Sequence, residues 1–108
     1  MNYIRTINFS NATDLLQDSG IKEAIKQCLG LDESSYTARL QTNPITKENF
    51  GFKMKIDLVL DGDNTVIING QAQGLVAGAA YSTEFPVEIH SLSLGTNGTG
   101  TISMDIRR

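Results

Sequence analysis

Few side chains in this 108-residue chain have the chemistry of an active site, and the first to weigh is its single histidine, His90. Glu84 and Glu88 precede it at strand-like spacing, so on an extended backbone all three project from one face. An imidazole beside two carboxylates suits acid–base catalysis or a divalent cation. Pairing of the two glutamates with Lys53 or Lys55 on a neighbouring strand explains the same pattern without any site, and that plainer reading is preferred.

Cys28 is the only thiol. It lies on the apolar stripe of a helix, near the C-terminal end, where the helix dipole disfavours a thiolate. It reads as a small buried hydrophobe. Asp61-Gly62-Asp63-Asn64 opens like a calcium loop, but the twelfth position falls on Ala72, where such a loop needs a bidentate glutamate. These four residues read instead as a hairpin turn.

Gly70, Gly74 and Gly78 recur every fourth residue. The stretch lacks the lysine ending of a phosphate loop and the βαβ frame of a dinucleotide fingerprint. It marks either close approach of a ligand or second subunit to the backbone, or a curved strand running into a loop or short small-residue helix. Phe50, Phe52 and Met54 share one strand face and offer apolar surface to a ligand. No Ser-His-Asp or Cys-His-Asn set assembles, and one Cys with one His cannot make a structural zinc site. With three tyrosines, four phenylalanines and no tryptophan, stacking on sugars or bases has little support. No metal and no cofactor is expected.

The elements that must position these residues show two periods. Residues 2–10 form a first strand, with Tyr3, Ile7 and Phe9 on one face. Ile21, Ala24, Ile25, Cys28 and Leu29 then recur at helical spacing. Asp18 or Ser19 caps a helix over about 20–29 that Gly30 ends, with Leu15 and Leu16 held in a turn before it; one bent helix over residues 12–29 is the alternative. From residue 35 the period falls to two, which predicts a strand through Tyr36, Ala38 and Leu40, broken at Asn43-Pro44. Phe50 to Leu60 alternates strictly and predicts a long strand with one dry face. The turn at 61–64 should join it to a strand from Thr65 to about Gln73. A strand over about 84–94 needs a β-bulge near His90-Ser91 to keep Leu92 buried. Thr96-Asn97-Gly98 signals a second hairpin before a last strand burying Ile102, Met104 and Ile106.

The fold class expected is therefore α+β, one domain over 1–108, with one short helix on a curved antiparallel sheet of five to six strands. A helix followed by an antiparallel meander resembles cystatin-like and related curved-sheet folds, a likeness that implies no activity. One short helix cannot cover so wide a sheet. The remaining apolar face must curl around the helix, close as a barrel or meet another subunit.

Composition narrows the partners. Apolar residues make up 40% and charged residues 19%, with a net charge of −3. No Lys or Arg occurs from Ile56 to Ile106, which argues against nucleic acid. No apolar run is long enough for a membrane span, and no leader pattern precedes the first strand. A lone cysteine fits a reducing, cytoplasmic setting. The leading expectation is a non-catalytic assembly or binding module: a homo-oligomer, a binder of a protein partner, or both. A carrier of a small apolar ligand comes second. An enzyme using His90 with Glu84 or Glu88 comes last.

Overall fold

The computed structural model of the protein describes residues 2–40 and 51–108. These form an α+β fold of two helices and a seven-stranded antiparallel sheet that does not close into a barrel.

The first strand, β1, runs over Asn2–Asp14, longer than its apolar alternation alone suggests. A 3-10 turn at Leu15–Gln17 buries Leu15 and Leu16, and α1 follows at Ser19–Leu29. The Asp18 carboxylate accepts from the Ile21 N–H at 3.2 Å, and Gly30 ends the helix at φ +66°. The stripe of Ile21, Ala24, Ile25 and Cys28 is buried, as the helical spacing requires.

The second helix corrects the single-helix expectation. Residues Glu33–Arg39 form α2 where period-two alternation predicts a strand. Three apolar residues are too few to fix a period, and helix-start chemistry decides the matter. The Asp32 carboxylate accepts from the Ser35 N–H at 2.8 Å, and Glu33 sits favourably in the first turn. Tyr36 is the buried residue of α2. Its ring stacks on Phe52 with centroids 5.0 Å apart, and its hydroxyl donates to the Leu16 carbonyl at 2.5 Å. Burial pushes the Tyr36 phenol well above its ordinary range, so it stays a neutral donor. Lys22 and Lys26 of α1 bind Glu33 at 3.0 and 3.2 Å and tie the two helices together.

The remaining strands are β2 (Phe52–Leu60), β3 (Asn64–Ile68), β4 (Gln71–Leu75), β5 (Ala80–Ser82), β6 (Val87–Ile89) and β7 (Leu92–Arg107). Seven strands replace the expected five to six, and the arrangement is not a meander. The last strand in sequence is central: β7 pairs with β1 on one side and with β2 and β3 on the other. The predicted break at Asn43-Pro44 and the residue Phe50 lie outside the described residues.

The turn expected at Asp61–Asn64 does not make a hairpin. Pairing with β7 runs from Met54↔Ile106 through Leu60↔Gly100 to Val66↔Leu94 and Ile68↔Leu92 without a slip. Thus β2 and β3 are two arms of one bent strand, and residues 61–63 are its corner. The second expected hairpin, at Thr96–Gly98, lies inside β7 directly across from that corner. The first glycine-rich signal interrupts the strand; the second lies within an unbroken β7 and faces it across a single folded ribbon. Asn64 bridges them: its amide donates to the Thr96 carbonyl at 3.1 Å, while its carbonyl oxygen accepts from the Thr96 N–H at 3.2 Å.

The true hairpin is at Asn69-Gly70, which divides the strand expected over Thr65–Gln73 into β3 and β4. Asn69 at φ +51° and Gly70 at φ +84° give the two left-handed residues of a type I′ turn. β4 and β5 then return along the same bent strand in one register, from Ile68↔Gln71 to Asp57↔Ser82. β6 pairs farther back, Lys53↔Glu88, after extra residues between β5 and β6.

The expected bulge at His90-Ser91 is instead a change of strand. Ile89 ends β6 and Leu92 begins β7, so both are buried although their spacing breaks the alternation. The bend at the corner brings the Asn69 turn against this junction. Asn69 Nδ2 donates to the Glu88 carbonyl at 2.7 Å, and its Oδ1 accepts from the His90 and Ser91 N–H groups at 2.9 and 3.2 Å. The sheet is folded over on its apolar face. Val66, Leu75, Leu92 and Leu94 of one arm join Met54, Leu58, Ile102 and Ile25 in one core. The surface that α1 is too short to reach is covered by the sheet's own second arm.

Candidate functional site

With the inner face sealed, the surface left open is the outer face of the first arm. There the strand order β1-β7-β2-β5 sets cross-strand rows. Ile4, Asp105 and Lys55 form one row, and Thr6, Ser103, Asp57 and Ser82 the next. A third row holds Asn8, Thr101, Val59 and Ala80. Strand alternation forces this composition outward: β2 buries Met54, Ile56 and Leu58, so Lys55, Asp57 and Val59 must face away.

The rows are linked by side chains. Thr6 and Ser103 hydroxyls lie 3.1 Å apart, Thr101 donates to Asn8 Oδ1 at 2.7 Å, and Ser82 donates to Asp57 Oδ1 at 3.1 Å. Asp105 accepts from Arg107 at 3.2 Å. An open hollow of about 270 Å³ lies across the face, walled by Ile4 and Thr83 and floored by β7 and β2. A second open hollow, about 350 Å³, lies near Asn8, Asp61 and Thr99. Ile4 is 70% exposed on the rim of the first. Such a surface offers hydroxyls, both signs of charge and the exposed aliphatic side chains of Ile4 and Val59, which suits contact with another polypeptide more than containment of an apolar molecule.

The residues singled out by sequence are scattered. Glu84 lies between β5 and β6, Glu88 lies on β6 directly opposite Lys53, and His90 lies just beyond the end of β6. Glu88 and Lys53 are thus register neighbours on adjacent strands. No hydrogen bond joins His90 to either glutamate; its backbone is held by Asn69 and its Nδ1 is buried without a partner. No cluster of three or more His, Cys, Asp or Glu side chains able to hold a metal occurs among the described residues. Asp63 serves the corner, accepting from the Ala77 N–H at 2.9 Å.

A Cβ added at Gly70, Gly74 or Gly78 would meet nothing within 4 Å, and Gly70 and Gly78 have left-handed φ values of +84° and +79°. Turn geometry accounts for these two glycines, and Gly74 lies open on β4. Close approach of the chain to its own backbone occurs at other glycines. A Cβ on Gly51 would lie 2.6 Å from the Ile89 carbonyl carbon, and one on Gly100 would lie 3.1 Å from the Leu60 Cα. Phe52 and Met54 are fully buried, packed by protein. Cys28 is buried in α1.

Sequence reasoning missed the outer-face rows because polar residues on the wet side of a strand carry no pattern of their own. It also missed Asn69, although Asn-Gly between apolar residues is a strong hairpin signal. No helix among the described residues is long and apolar enough to cross a membrane. Comparison with protein-family models, curated proteins and solved structures finds no match to this chain.

Proposed function

We propose that the chain is a non-catalytic assembly module that associates through sheet surface outside its core. One observation carries this reading. Four strands present an outer face over which no described element folds, and this face brings together mixed charge, hydroxyls and the exposed Ile4. The interior offers a ligand less: Phe52 and Met54, which apolar patterning nominated for a pocket, are packed against Tyr36, Ile89 and Val87. Acid–base chemistry would require the His90 imidazole to engage Glu84 or Glu88, and no hydrogen bond joins it to either; the bond to Asn69 is made by the His90 backbone N–H. The single, buried cysteine suits a reducing compartment such as the cytoplasm.

Sedimentation equilibrium from low to high micromolar concentration tests the reading. The expected result is a reversible rise in mass above that of one chain. A single-chain mass throughout the range would overturn self-association.

A further inference from the structure

We infer that the contact is made edge to edge, β1 pairing antiparallel with β1 of a second copy to join two sheets; this rests on the assembly reading above. The hydrogen-bond direction of each strand can be followed across the sheet. The Ile56 carbonyl accepts from the Thr83 N–H at 3.1 Å, and the Ile56 N–H donates to Thr83 Oγ1 at 3.0 Å. Ile56 therefore turns its backbone toward β5, and Lys55, Asp57 and Val59 turn theirs toward β7. Alternation then assigns Ile102, Met104 and Ile106 of β7 to β1, where they meet Ile7, Arg5 and Tyr3. The N–H and C=O groups of Ile4, Thr6 and Asn8 must point the other way, into the open side of β1. The Arg5 guanidinium agrees, since it folds back along that side to donate to the Ile4 carbonyl at 3.0 Å.

No strand among the described residues pairs with this side. A row of alternating donors and acceptors at strand spacing is matched by one kind of partner, another extended strand. β1 carries one feature that guards an edge, the Arg5 guanidinium on the Ile4 carbonyl, which must swing aside for a second copy to pair there; residues 2–9 contain no proline and no lysine. The other margin is broken into β4, β5 and β6, of five, three and three residues. A second copy supplies a strand of matching length and twist. With Thr6 on the two-fold axis, Ile4 lies opposite Asn8 of the other copy and the exposed Ile4 side chain gains a neighbour. Arg5, the one charge between residues 2 and 9, then lies opposite Ile7 rather than another Arg5, so no like charges oppose.

Thr6→Pro tests this. Its N–H faces the open edge, so proline removes no backbone bond within one chain and only the exposed hydroxyl contact with Ser103, yet it deletes the donor on the axis from both copies; Thr6→Ala, which loses the same hydroxyl and keeps the N–H, is the reference. The expected result is a melting temperature matching that of Thr6→Ala, with association weakened about tenfold or more relative to it. Ser103→Arg, at the centre of the outer face and away from the edge, should leave association unchanged. If Thr6→Pro associates like wild type while Ser103→Arg does not, the edge mode is overturned and face-to-face assembly stands. If wild type never associates, both fall. Hydrogen exchange in wild type gives a second readout should Thr6→Pro not fold. The Thr6 amide should be protected at concentrations where the mass rises and exposed on dilution, and equal exchange in both states would refute the pairing.

Discussion

Asn69 holds the folded-over sheet shut, and its replacement measures what that closure contributes. Asn69→Ala removes the Nδ2 bond to Glu88 and strands the His90 and Ser91 N–H groups that Oδ1 accepts. At about 1 kcal/mol per bond the loss is about 3 kcal/mol. Alanine must also adopt the left-handed φ of +51°, which adds about 1 kcal/mol. A loss of about 4 kcal/mol is a large part of the ~5–15 kcal/mol that stabilises a domain. At roughly 4 °C per kcal/mol, melting should fall by about 16 °C. Urea and thermal denaturation followed by circular dichroism would measure it. Two further variants divide the total. Asn69→Gly keeps the backbone conformation and should recover about 1 kcal/mol. Asn69→Asp keeps the acceptor and should lose chiefly the bond to Glu88. A loss below about 1 kcal/mol in Asn69→Ala would show that the closure does not depend on this side chain.

Gly100→Ala places a methyl against the Val59 carbonyl in the paired strand, where backbone must move; stability should fall by about 2–3 kcal/mol. Gly74→Ala meets nothing within 4 Å and should be neutral or slightly stabilising in the same denaturation assay. Lys22 and then Lys26 hold the Glu33 carboxyl below its ordinary value of 4.5. A lowered folded pKa stabilises above that value and the benefit disappears as pH falls through the folded pKa, so Glu33→Gln should flatten the acid limb of a stability–pH curve. The effect is small, because Glu33 is exposed.

Local chemistry made part of this fold legible. Asp18, Gly30 and the Ile21–Cys28 stripe specify α1 within a dozen neighbouring residues, and Phe52–Leu60 declares its two faces by alternation. What stayed hidden is non-local. Asp61-Gly62-Asp63-Asn64 bends a chain whether the next strand returns along the last one or continues down the same partner. Only β7, which begins at Leu92, chooses between them. The slip between Ile89 and Leu92 was visible, but a bulge and a strand change leave the same trace in sequence. The apolar surplus left by one short helix was also real, and its resolution was internal: a corner lets a sheet supply its own cover. The outer-face rows depend on register alone, so no spacing within one strand could announce them.

The central position of β7 has a kinetic consequence. β1 and β2 do not touch each other in the sheet; each waits for residues 92–107 to lie between them. Pairs such as Asn2↔Arg107 close nearly the whole chain before they contribute anything. Helix α1 and the Asn69-Gly70 hairpin can flicker into being early, since their partners are near in sequence. The sheet proper cannot accumulate by halves. Folding should therefore be slow for a chain of this length and cooperative. Until β7 inserts, two long, apolar strands remain exposed to other chains, which makes the interval before insertion the time of greatest risk of aggregation.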